Sequence, residues 1–335
     1  MDLRFHTDNK AFQASIHSFV KEWNDDLPYF EVNTSGSTGK PKTIQIQKEY
    51  ALASARMTGA YLNLCEGMHA LLCLSPETIA GKMMLVRAME LNLTLHIVNP
   101  SSQPFDGLTA PIDFVALVPY QMQQTLEHQS SVFHQDMRVI IGGGPVSQKL
   151  EKEIQSLPAQ CFHTFGMTET ITHIALRDLT NGKKSFALLD GVTAEENDGR
   201  LVISAPHLGI HCLSTNDCVT MEGDRAFQWL GRMDFVINSG GIKIHPEIVD
   251  EKLASILDVP YFTIGVEDEK LGQKMVLCVE SQPFLLSKSS LENLLPKYHL
   301  PKDIYFYDHF QYTKSDKINR LATIANPDRH EAPIL

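Results

Sequence analysis

The chain has 335 residues, of which 43% are hydrophobic and 21% are charged, and its formal net charge at pH 7 is -11. This length favours two domains, and the apolar content is sufficient for packed cores along most of the chain. An acidic chain without a run of Lys or Arg lacks the clustered positive charge that nucleic acids and anionic membranes require, so neither is an expected partner.

Cysteine spacing and the N-terminal residues predict the cellular environment. The six cysteines are scattered without Cys-x-x-Cys spacing, which predicts neither a zinc site nor a disulfide framework and favours a reducing compartment. The N-terminus, MDLRFHTDNK, lacks the apolar stretch of a signal peptide, and no apolar run reaches the length of about 18 residues typical of a membrane span. We therefore expect a cytoplasmic protein without stable membrane insertion, and the sequence is compatible with a homo-oligomer.

The predicted elements begin with an amphipathic helix over residues 8–23, where apolar side chains recur at helical spacing. Strand-like and helical patterns then alternate to about residue 175, which predicts one sheet with covering helices. The predicted strands are Ala70–Leu74, Leu93–Val98, Phe114–Val118, Arg138–Ile141 and Gln160–Thr164, and the predicted helices are Gly81–Leu91, Tyr120–His128 and Gln148–Ile154.

The pattern changes in the last part of the chain. Residues 199–230 contain short strand-like runs broken by Gly, Asn and Asp, whereas Pro246–Leu257 is typical of a helix. Further strands are predicted at Tyr261–Val266 and Met275–Val279. We place a domain boundary near Asp234.

The strongest chemical signal is the nonapeptide TSGSTGKPK, in which hydroxyls, glycines and lysines alternate. Glycines let backbone amides approach an anion, and hydroxyl and ammonium groups add charge-assisted hydrogen bonds, so this segment predicts a phosphate-binding loop. A flexible surface loop is the alternative. It is not the P-loop of GTPases, because Pro41 follows Lys40 where that loop has Ser or Thr. The candidate residues are Thr34, Ser35, Gly36, Ser37, Thr38, Gly39, Lys40 and Lys42.

This loop resembles that of the adenylate-forming superfamily of acyl-CoA ligases, luciferases and peptide-synthetase adenylation domains. The resemblance extends from about Val32 to Arg320. It implies a large α/β AMP-binding N-terminal domain, residues 1–233, joined by a hinge to a small, mobile α+β C-terminal domain, residues 234–335. It also implies that ATP, Mg2+ and CoA take part. Family members usually have a longer segment before the phosphate loop, so we expect an N-terminally truncated form and a small, compact acid.

Two glycine-containing segments resemble family motifs near the nucleotide. The segment Phe165-Gly166-Met167-Thr168-Glu169-Thr170 is similar to the YGMTE motif, which implies an aromatic ring near adenine at Phe165, phosphate contact at Thr168 and magnesium on Glu169. The turn Gly142-Gly143-Gly144 is similar to the GG-x-P turn beside adenine, although an ordinary strand-to-helix turn is the alternative.

Two further motifs follow in the expected order. Asp217 stands where the family has the Asp of TGD, which implies hydrogen bonds to the ribose hydroxyls. Gly231-Arg232-Met233-Asp234 is similar to the GR-x-D hinge, which implies Arg232 at ribose or phosphate and Asp234 as the pivot. The alternatives are a turn-forming Asp217 and a solvated Arg232. The glycines that follow, Gly240 and Gly241, are expected to line a channel for the thiol of CoA.

The C-terminal segment Thr313–Arg320 is similar to the one that carries the family's catalytic lysine. The resemblance assigns that role to Lys317. Asp316 occupies the position of the family's glycine, and a surface lysine is the alternative.

The acid is inferred from the helix after Gly81. O-succinylbenzoate-CoA ligases have an Arg at the position of Arg87, which implies bidentate binding of a second carboxylate; a helix-surface Arg is the alternative. Segments with Lys82, Thr172 and His173 resemble the acid pocket of those ligases.

The expected function is an ATP-dependent acid:CoA ligase that forms an acyl-adenylate and then a CoA thioester, with a small carboxylic acid such as the o-succinylbenzoate of menaquinone biosynthesis. The alternatives are an aryl-CoA ligase, an adenylation enzyme that serves a carrier protein, and a nucleotide-binding regulatory protein.

Overall fold

The computed structural model describes residues 2–33, 43–313 and 318–333. The chain divides into two compact units. The first comprises Met1–Glu195, Val202–Leu213 and Met221–Gln228, and the second comprises Glu196–Leu201, Ser214–Thr220 and Trp229–Leu335.

The elements follow one another in the order that the alternating pattern predicts. The strands are β1 (Asp2–Phe5), β2 (Tyr29–Asn33), β3 (Thr43–Gln47), β4 (His69–Leu72), β5 (Thr94–Ile97), β6 (Phe114–Leu117), β7 (Arg138–Ile141), β8 (Gln160–Gly166), β9 (His173–Asp178), β10 (Phe186–Leu188), β11 (Thr193–Asn197), β12 (Arg200–Ala205), β13 (Ile210–Ser214), β14 (Asp217–Met221), β15 (Ala226–Arg232), β16 (Ile237–Ser239), β17 (Ile242–Ile244), β18 (Tyr261–Asp268), β19 (Gly272–Glu280), β20 (Asp303–Tyr307) and β21 (His330–Pro333). The α-helices are α1 (Lys10–Trp23), α2 (Lys48–Leu62), α3 (Ile79–Glu90), α4 (Pro119–Gln129), α5 (Gln148–Ile154), α6 (Pro246–Leu253), α7 (Lys288–Leu294) and α8 (Arg320–Ala325).

The opening helix forms where the apolar spacing predicts it. It starts at Lys10 because the side chain of Asn9 accepts a hydrogen bond from the Phe12 amide at 3.1 Å and so caps the first turn. Its buried face carries Ile16 and Phe19, and the Phe19 ring meets Phe30 of β2 edge-on, with centroids 5.5 Å apart. The helix is therefore a packing element for the strand that leads to the predicted phosphate loop.

The main sheet has the strand order β1-β5-β4-β6-β7-β8-β9-β10-β15-β14. Neighbouring strands from β1 to β8 are parallel, and β9 returns antiparallel beside β8. The central parallel strands are largely apolar because both of their faces are covered, most clearly in Phe114–Leu117, where every residue is buried. On one face, Met122 of α4 and Leu150 of α5 pack against Val115 and Val139.

The order of the parallel strands locates a crevice. Strand β5 lies on one side of β4, whereas β6 and then β7 lie on its other side, so the direction of strand addition reverses at β4. Ligands of such sheets bind outside the carboxyl ends of the strands near this reversal. The loops that leave β7 and β8 at that edge carry the predicted nucleotide residues Gly142–Gly144 and Phe165–Glu169.

A separate hairpin flanks the predicted phosphate loop. Strands β2 and β3 pair antiparallel, with Asn33 opposite Thr43 at the open end. The connection between these two residues comprises positions 34–42, which lie outside the described residues.

The second unit contains its own sheet, in the order β17-β16-β19-β20-β21, with β18 paired to β19. Val249 of α6 and Leu291 of α7 pack with Leu277 on one face, whereas Phe262 and Tyr305 pack on the other. The predicted helix Pro246–Leu257 begins as expected but ends at Leu253, after which only a hydrogen-bonded turn continues.

Helix α3 also differs in its bounds from the prediction. It begins at Ile79, before the predicted Gly81, because the Thr78 hydroxyl accepts a hydrogen bond from the Gly81 amide at 3.2 Å and caps the helix. Within the described ranges 2–33, 43–313 and 318–333, every helix is too short or too polar to cross a lipid bilayer.

A substitution at Gly81 tests how closely α3 packs on the loop before it. A Cβ atom at Gly81 would lie 2.1 Å from the Ser75 carbonyl oxygen. Because that oxygen belongs to the backbone, the clash cannot be relieved by moving a side chain. We expect Gly81→Ala to lower the free energy of unfolding by about 1 to 3 kcal/mol, because overpacking outweighs the gain in helix propensity. Chemical denaturation followed by circular dichroism measures this change.

Gly107→Ala is a comparison that measures backbone strain without overpacking. No atom lies within 4 Å of a Cβ at Gly107, and its φ is +69°, so only the cost of a left-handed backbone of about 1 to 2 kcal/mol applies there. A Gly81→Ala variant as stable as the wild type would contradict the close contact.

Candidate active site

Arg87 lies inside the first unit. Its side chain projects from α3, only 2% of the residue is exposed, and its Nε has no hydrogen-bond partner among the described residues. One guanidinium nitrogen lies 3.9 Å from the sulfur of Met84, which is a weak acceptor. Burial lowers the pKa of Arg87 to about 10, so the guanidinium stays charged at pH 7. The alternative of a helix-surface arginine is therefore wrong.

His173 lies beside this cation in the neutral form. Burial, together with the charge of Arg87, lowers the pKa of His173 well below its usual value. The Thr58 hydroxyl donates to the Ser54 carbonyl at 3.0 Å, so it accepts the 3.1 Å hydrogen bond from Nε2 of His173. That assignment places the proton of the ring on Nε2 and leaves Nδ1 as an acceptor.

Two hydroxyl residues that contact Thr172 and His173 were not identified from the sequence. Ser54 and Thr58 are buried on α2, and the Ser54 hydroxyl lies 2.7 Å from the hydroxyl of Thr172. The signal in the sequence was a pair of hydroxyl residues at i,i+4 spacing on a face otherwise made of Ala, Gly and Leu. Their hydrogen-bond partners are more than a hundred residues away, so the sequence did not identify them.

A strained turn joins the nucleotide segment to His173. Residues Thr168–Thr170 form one 3-10 turn, and the Thr172 amide then donates to the Thr170 carbonyl at 2.7 Å across Ile171. Ile171 has φ +67° and ψ -61°, the geometry of a γ-turn that β-branched residues rarely adopt. The turn leaves Glu169 exposed and buries Thr170.

Glu169 is chemically suited to Mg2+. Mg2+ is usually held by one or two carboxylates together with substrate phosphates rather than by a cage of protein ligands. Within the part of the chain that the structure describes, no cluster of three or more His, Cys, Asp or Glu side chains has the arrangement of a metal site.

The part of the candidate site predicted to bind adenine is aromatic. The ring of Phe165 meets Phe227 and Phe186 edge-on, with centroids 5.0 and 5.6 Å apart. The turn after β7 lies beside β8, the strand that carries Phe165, since a Cβ at Gly142 would be 2.3 Å from the Thr164 hydroxyl. Gly143 has φ +83°, a conformation that favours glycine.

Asp217 and Arg232 come together in the second unit. Asp217 begins β14 and is 5% exposed, and its Oδ1 accepts a hydrogen bond from Nε1 of Trp229 at 2.9 Å. A guanidinium nitrogen of Arg232 lies 3.7 Å from Oδ2. A turn-forming Asp does not describe Asp217, whereas the Arg232 side chain is 44% exposed, as the alternative of a solvated arginine predicts. Trp229 was not identified from the sequence.

The predicted hinge residue Asp234 lies in a 3-10 turn, and the side-chain amide of Asn216 donates to its carboxylate. Arg200 donates to the same Asn216 side chain at 2.6 Å, so this asparagine links two elements of the second unit. Gly240 and Gly241 form the turn between β16 and β17, with φ +57° and +83°. Two left-handed residues match the twist of a tight hairpin.

Lys82 is not brought together with Arg87. Its ammonium donates to the Glu31 carbonyl at 2.7 Å and to the Glu22 carboxylate at 3.2 Å, and it lies 4.7 Å from the centroid of the Phe19 ring. These contacts tie α3 to α1 and to β2. The remaining predicted site residues lie outside the described residues and stay predictions: Thr34, Ser35, Gly36, Ser37, Thr38, Gly39, Lys40, Lys42 and Lys317.

The fold is that of an adenylate-forming enzyme. Its structure is similar to that of o-succinylbenzoate CoA synthetase from Bacillus subtilis in complex with the acyl-adenylate OSB-AMP, with a TM-score of 0.76, 22% identity, and coverage of 90% of this chain and 70% of that one. At this identity the likeness shows the fold alone.

Sequence comparison defines the family. A model of the AMP-binding enzyme family matches residues 6–194, and the chain belongs to that family. The chain is 36% identical to an AMP-forming acyl-CoA synthetase/AMP-acid ligase II-like protein from Dyadobacter fermentans, over 94% of both chains and with a TM-score of 0.65. It is 23% identical to the 2-succinylbenzoate--CoA ligase of Listeria innocua, over 90% of this chain and 70% of that protein. The predicted family and fold class are thus confirmed.

The role of Lys82 is testable through stability. If its ammonium anchors β2, Lys82→Met should lower the free energy of unfolding by about 1.5 to 3 kcal/mol, because charged hydrogen bonds are lost while the alkyl stem remains. A lysine kept for ligand binding behaves oppositely, since removing a buried functional charge leaves stability unchanged or raises it. Urea denaturation of Lys82→Met and of the exposed control Lys10→Met distinguishes the two roles.

Proposed function

We propose that this AMP-binding enzyme is an ATP-dependent acid:CoA ligase that activates o-succinylbenzoate and transfers it to CoA, as the names of its 2-succinylbenzoate--CoA ligase relatives indicate for those proteins. One observation carries the choice of acid. Arg87 is a buried cation that forms no ion pair within residues 2–33, 43–313 and 318–333, and its Nε has no hydrogen-bond partner there.

The electrostatics around Arg87 favour a carboxylate. A buried charge is costly unless it is paired, and a carboxylate matches the fork of a guanidinium with two parallel hydrogen bonds. His173 is kept neutral by burial and by Arg87, and so adds no second positive charge. An acid with two carboxylates leaves one free to react with ATP after Arg87 binds the other. A monocarboxylate cannot both pair with Arg87 and react.

The hydroxyl cluster completes this end of the proposed pocket. Thr172 and Ser54 form a close hydroxyl pair, and His173 is oriented by Thr58. Nδ1 of His173 accepts hydrogen bonds and does not donate them. We therefore assign recognition of the distal carboxylate to Arg87, and orientation of the substrate's neutral groups to Thr172 and His173.

In the proposed first step, an oxygen of the carboxylate that Arg87 does not bind attacks the α-phosphorus of ATP, and pyrophosphate leaves. Negative charge accumulates on the phosphoryl oxygens, so cations and amides aimed there lower the barrier. We assign this role to the phosphate loop, Thr168 and Lys317. Glu169 would hold Mg2+, which would supply further neutralisation of that charge.

In the proposed second step, the CoA thiolate attacks the acyl carbonyl carbon and AMP leaves as its phosphate oxygen takes the electron pair. Asp217 and Arg232 hold the ribose, while Phe165 and the turn Gly142–Gly144 hold adenine. A rotation of residues 234–335 at Asp234 between the two steps would exchange Lys317 for the thiol channel at Gly240 and Gly241, a gating motion of the domain-closure type.

The substrate assignment is tested at Arg87. We expect Arg87→Met to reduce kcat/KM for o-succinylbenzoate about 10²- to 10³-fold, because a desolvated carboxylate loses its partner, while the KM for ATP changes little. Release of AMP with and without CoA measures both. Arg56→Met, which removes an exposed arginine paired with Glu90 on the neighbouring helix, is the control. Equal losses for o-succinylbenzoate and for benzoate would reject a role in carboxylate recognition.

The assignment of Lys317 is tested by separating the half-reactions. Lys317→Ala should slow adenylate formation about 10²- to 10³-fold through loss of one preorganised cation, yet leave thioester formation from supplied acyl-adenylate nearly unchanged. Pyrophosphate exchange reports the first step and thioester absorbance the second. Equal losses in both half-reactions would place Lys317 elsewhere in the mechanism.

A further inference from the structure

His163 connects the two segments assigned to adenine. It lies on β8, two residues before Phe165, and pairs across the sheet with Ile141 of β7 and Arg177 of β9. Its Nε2 lies 3.2 Å from the carbonyl oxygen of Gly144, and its ring centroid lies 5.4 Å from that of Phe186.

The partners of the ring fix its tautomer. A guanidinium nitrogen of Arg177 lies 3.3 Å from Nδ1 of His163. A guanidinium only donates hydrogen bonds, so Nδ1 must be the acceptor. The proton therefore sits on Nε2, from which the ring donates to the Gly144 carbonyl.

Arg177 is itself held firmly. It is buried and forms an ion pair with the Glu151 carboxylate, whose other oxygen accepts from Lys184 at 3.0 Å. Its guanidinium also lies 5.6 Å from the centroid of the Phe186 ring. The direction of the hydrogen bond to His163 is thus imposed by a fixed charge pair.

Two of the three glycines in the turn are loosely packed, whereas Gly142 lies against Thr164. A Cβ atom at Gly143 would find its nearest neighbour at 3.7 Å and one at Gly144 at 3.8 Å, both ordinary van der Waals distances. Because the turn lacks side chains, hydrogen bonds must determine where its carbonyl and amide groups point.

We propose that His163 is a positioning residue for nucleotide binding, which as the neutral Nε2–H ring holds the Gly142–Gly144 turn beside Phe165 in the shape that accepts adenine. This inference rests on the proposed function. The charged groups that act on the ring are Arg177 and Glu151, and Lys184 pairs with Glu151. Burial, together with the charge of Arg177, lowers the pKa of His163 to about 4, which keeps the ring neutral at pH 7.

Two substitutions separate the two hydrogen bonds of the ring. His163→Gln keeps an amide nitrogen near the place of Nε2 and so keeps the donor to Gly144. His163→Asn keeps only an amide near Nδ1, which still accepts from Arg177 but does not reach Gly144. We expect His163→Asn to weaken AMP and ATP binding about 3- to 10-fold, as the loss of one hydrogen bond predicts, and His163→Gln to stay within about 3-fold of the wild type.

Calorimetry with AMP, ATP and inorganic triphosphate gives the dissociation constants. Triphosphate has no adenine, so its affinity should be the same in both variants. Equal affinities of the Asn and Gln variants for AMP would overturn the inference. Wild-type protein that binds none of these ligands would instead reject the proposed function.

The tautomer offers a second test that does not depend on a variant folding. In the full-length wild-type protein with 15N-labelled histidine, we expect His163 to show protonated Nε2 and unprotonated Nδ1 from pH 8 down to pH 5.5. In Arg177→Met, the constraint on Nδ1 is removed, and we expect a mixture of the two tautomers. A wild-type ring protonated at Nδ1 would overturn the proposal.

Discussion

The close approach of two backbones at Gly166 sets the geometry of the candidate site. A Cβ atom at this position would lie 2.2 Å from the Thr172 carbonyl oxygen and 2.6 Å from Cα of His173, so β8 and β9 meet here only because the residue is glycine. The register shifts between Phe165 and Gly166, and the chain closes through the γ-turn at Ile171. Phe165 and His173 are consequently held on either side of one glycine, which brings the proposed adenine and acid ends within reach of a single adenylate.

The backbone strain of this arrangement lies in the turn between β8 and β9. A β-branched residue at positive φ, as at Ile171, carries a strain of about 1 to 3 kcal/mol, and the surrounding structure must impose it. The contacts that impose it are visible. Thr170 is fully buried, and its hydroxyl accepts from the Met167 amide at 2.9 Å and lies 2.7 Å from the Thr172 carbonyl oxygen. The hydroxyl of one threonine thus holds both ends of the turn that presents Glu169.

Local patterns predicted those parts of the fold that local forces determine. The bounds of β7 and α5 match the prediction because a short apolar run and a Ser147 cap mark them clearly. The burial of Arg87 was not predicted, since residues from Gly81 to Ala88 are all buried and a helix enclosed on every side has no polar face to reveal which way an arginine points.

The parts of the site that the sequence did not reveal depend on long-range pairing. Trp229 was identified only through its hydrogen bond to Asp217, and the role of Lys82 only through its contacts with Glu22 and Glu31. Family motifs named the residues that we propose to bind ligand. They did not name the residues that hold the proposed ligand-binding residues in place. Such supporting residues can be identified only from their contacts in the folded structure, not from the sequence around them.

The contrast between two buried arginines of the first unit supports the choice of substrate most directly. Arg177 and Arg87 are both buried, and each lies near a histidine whose pKa is lowered. Arg177 has the carboxylate of Glu151 as its partner and therefore has no need of a ligand. Arg87 forms no ion pair with any described residue, although it too is buried. A fold that neutralises one guanidinium internally and leaves the other beside a neutral imidazole and a pair of hydroxyls is suited to an acid that brings its own second carboxylate.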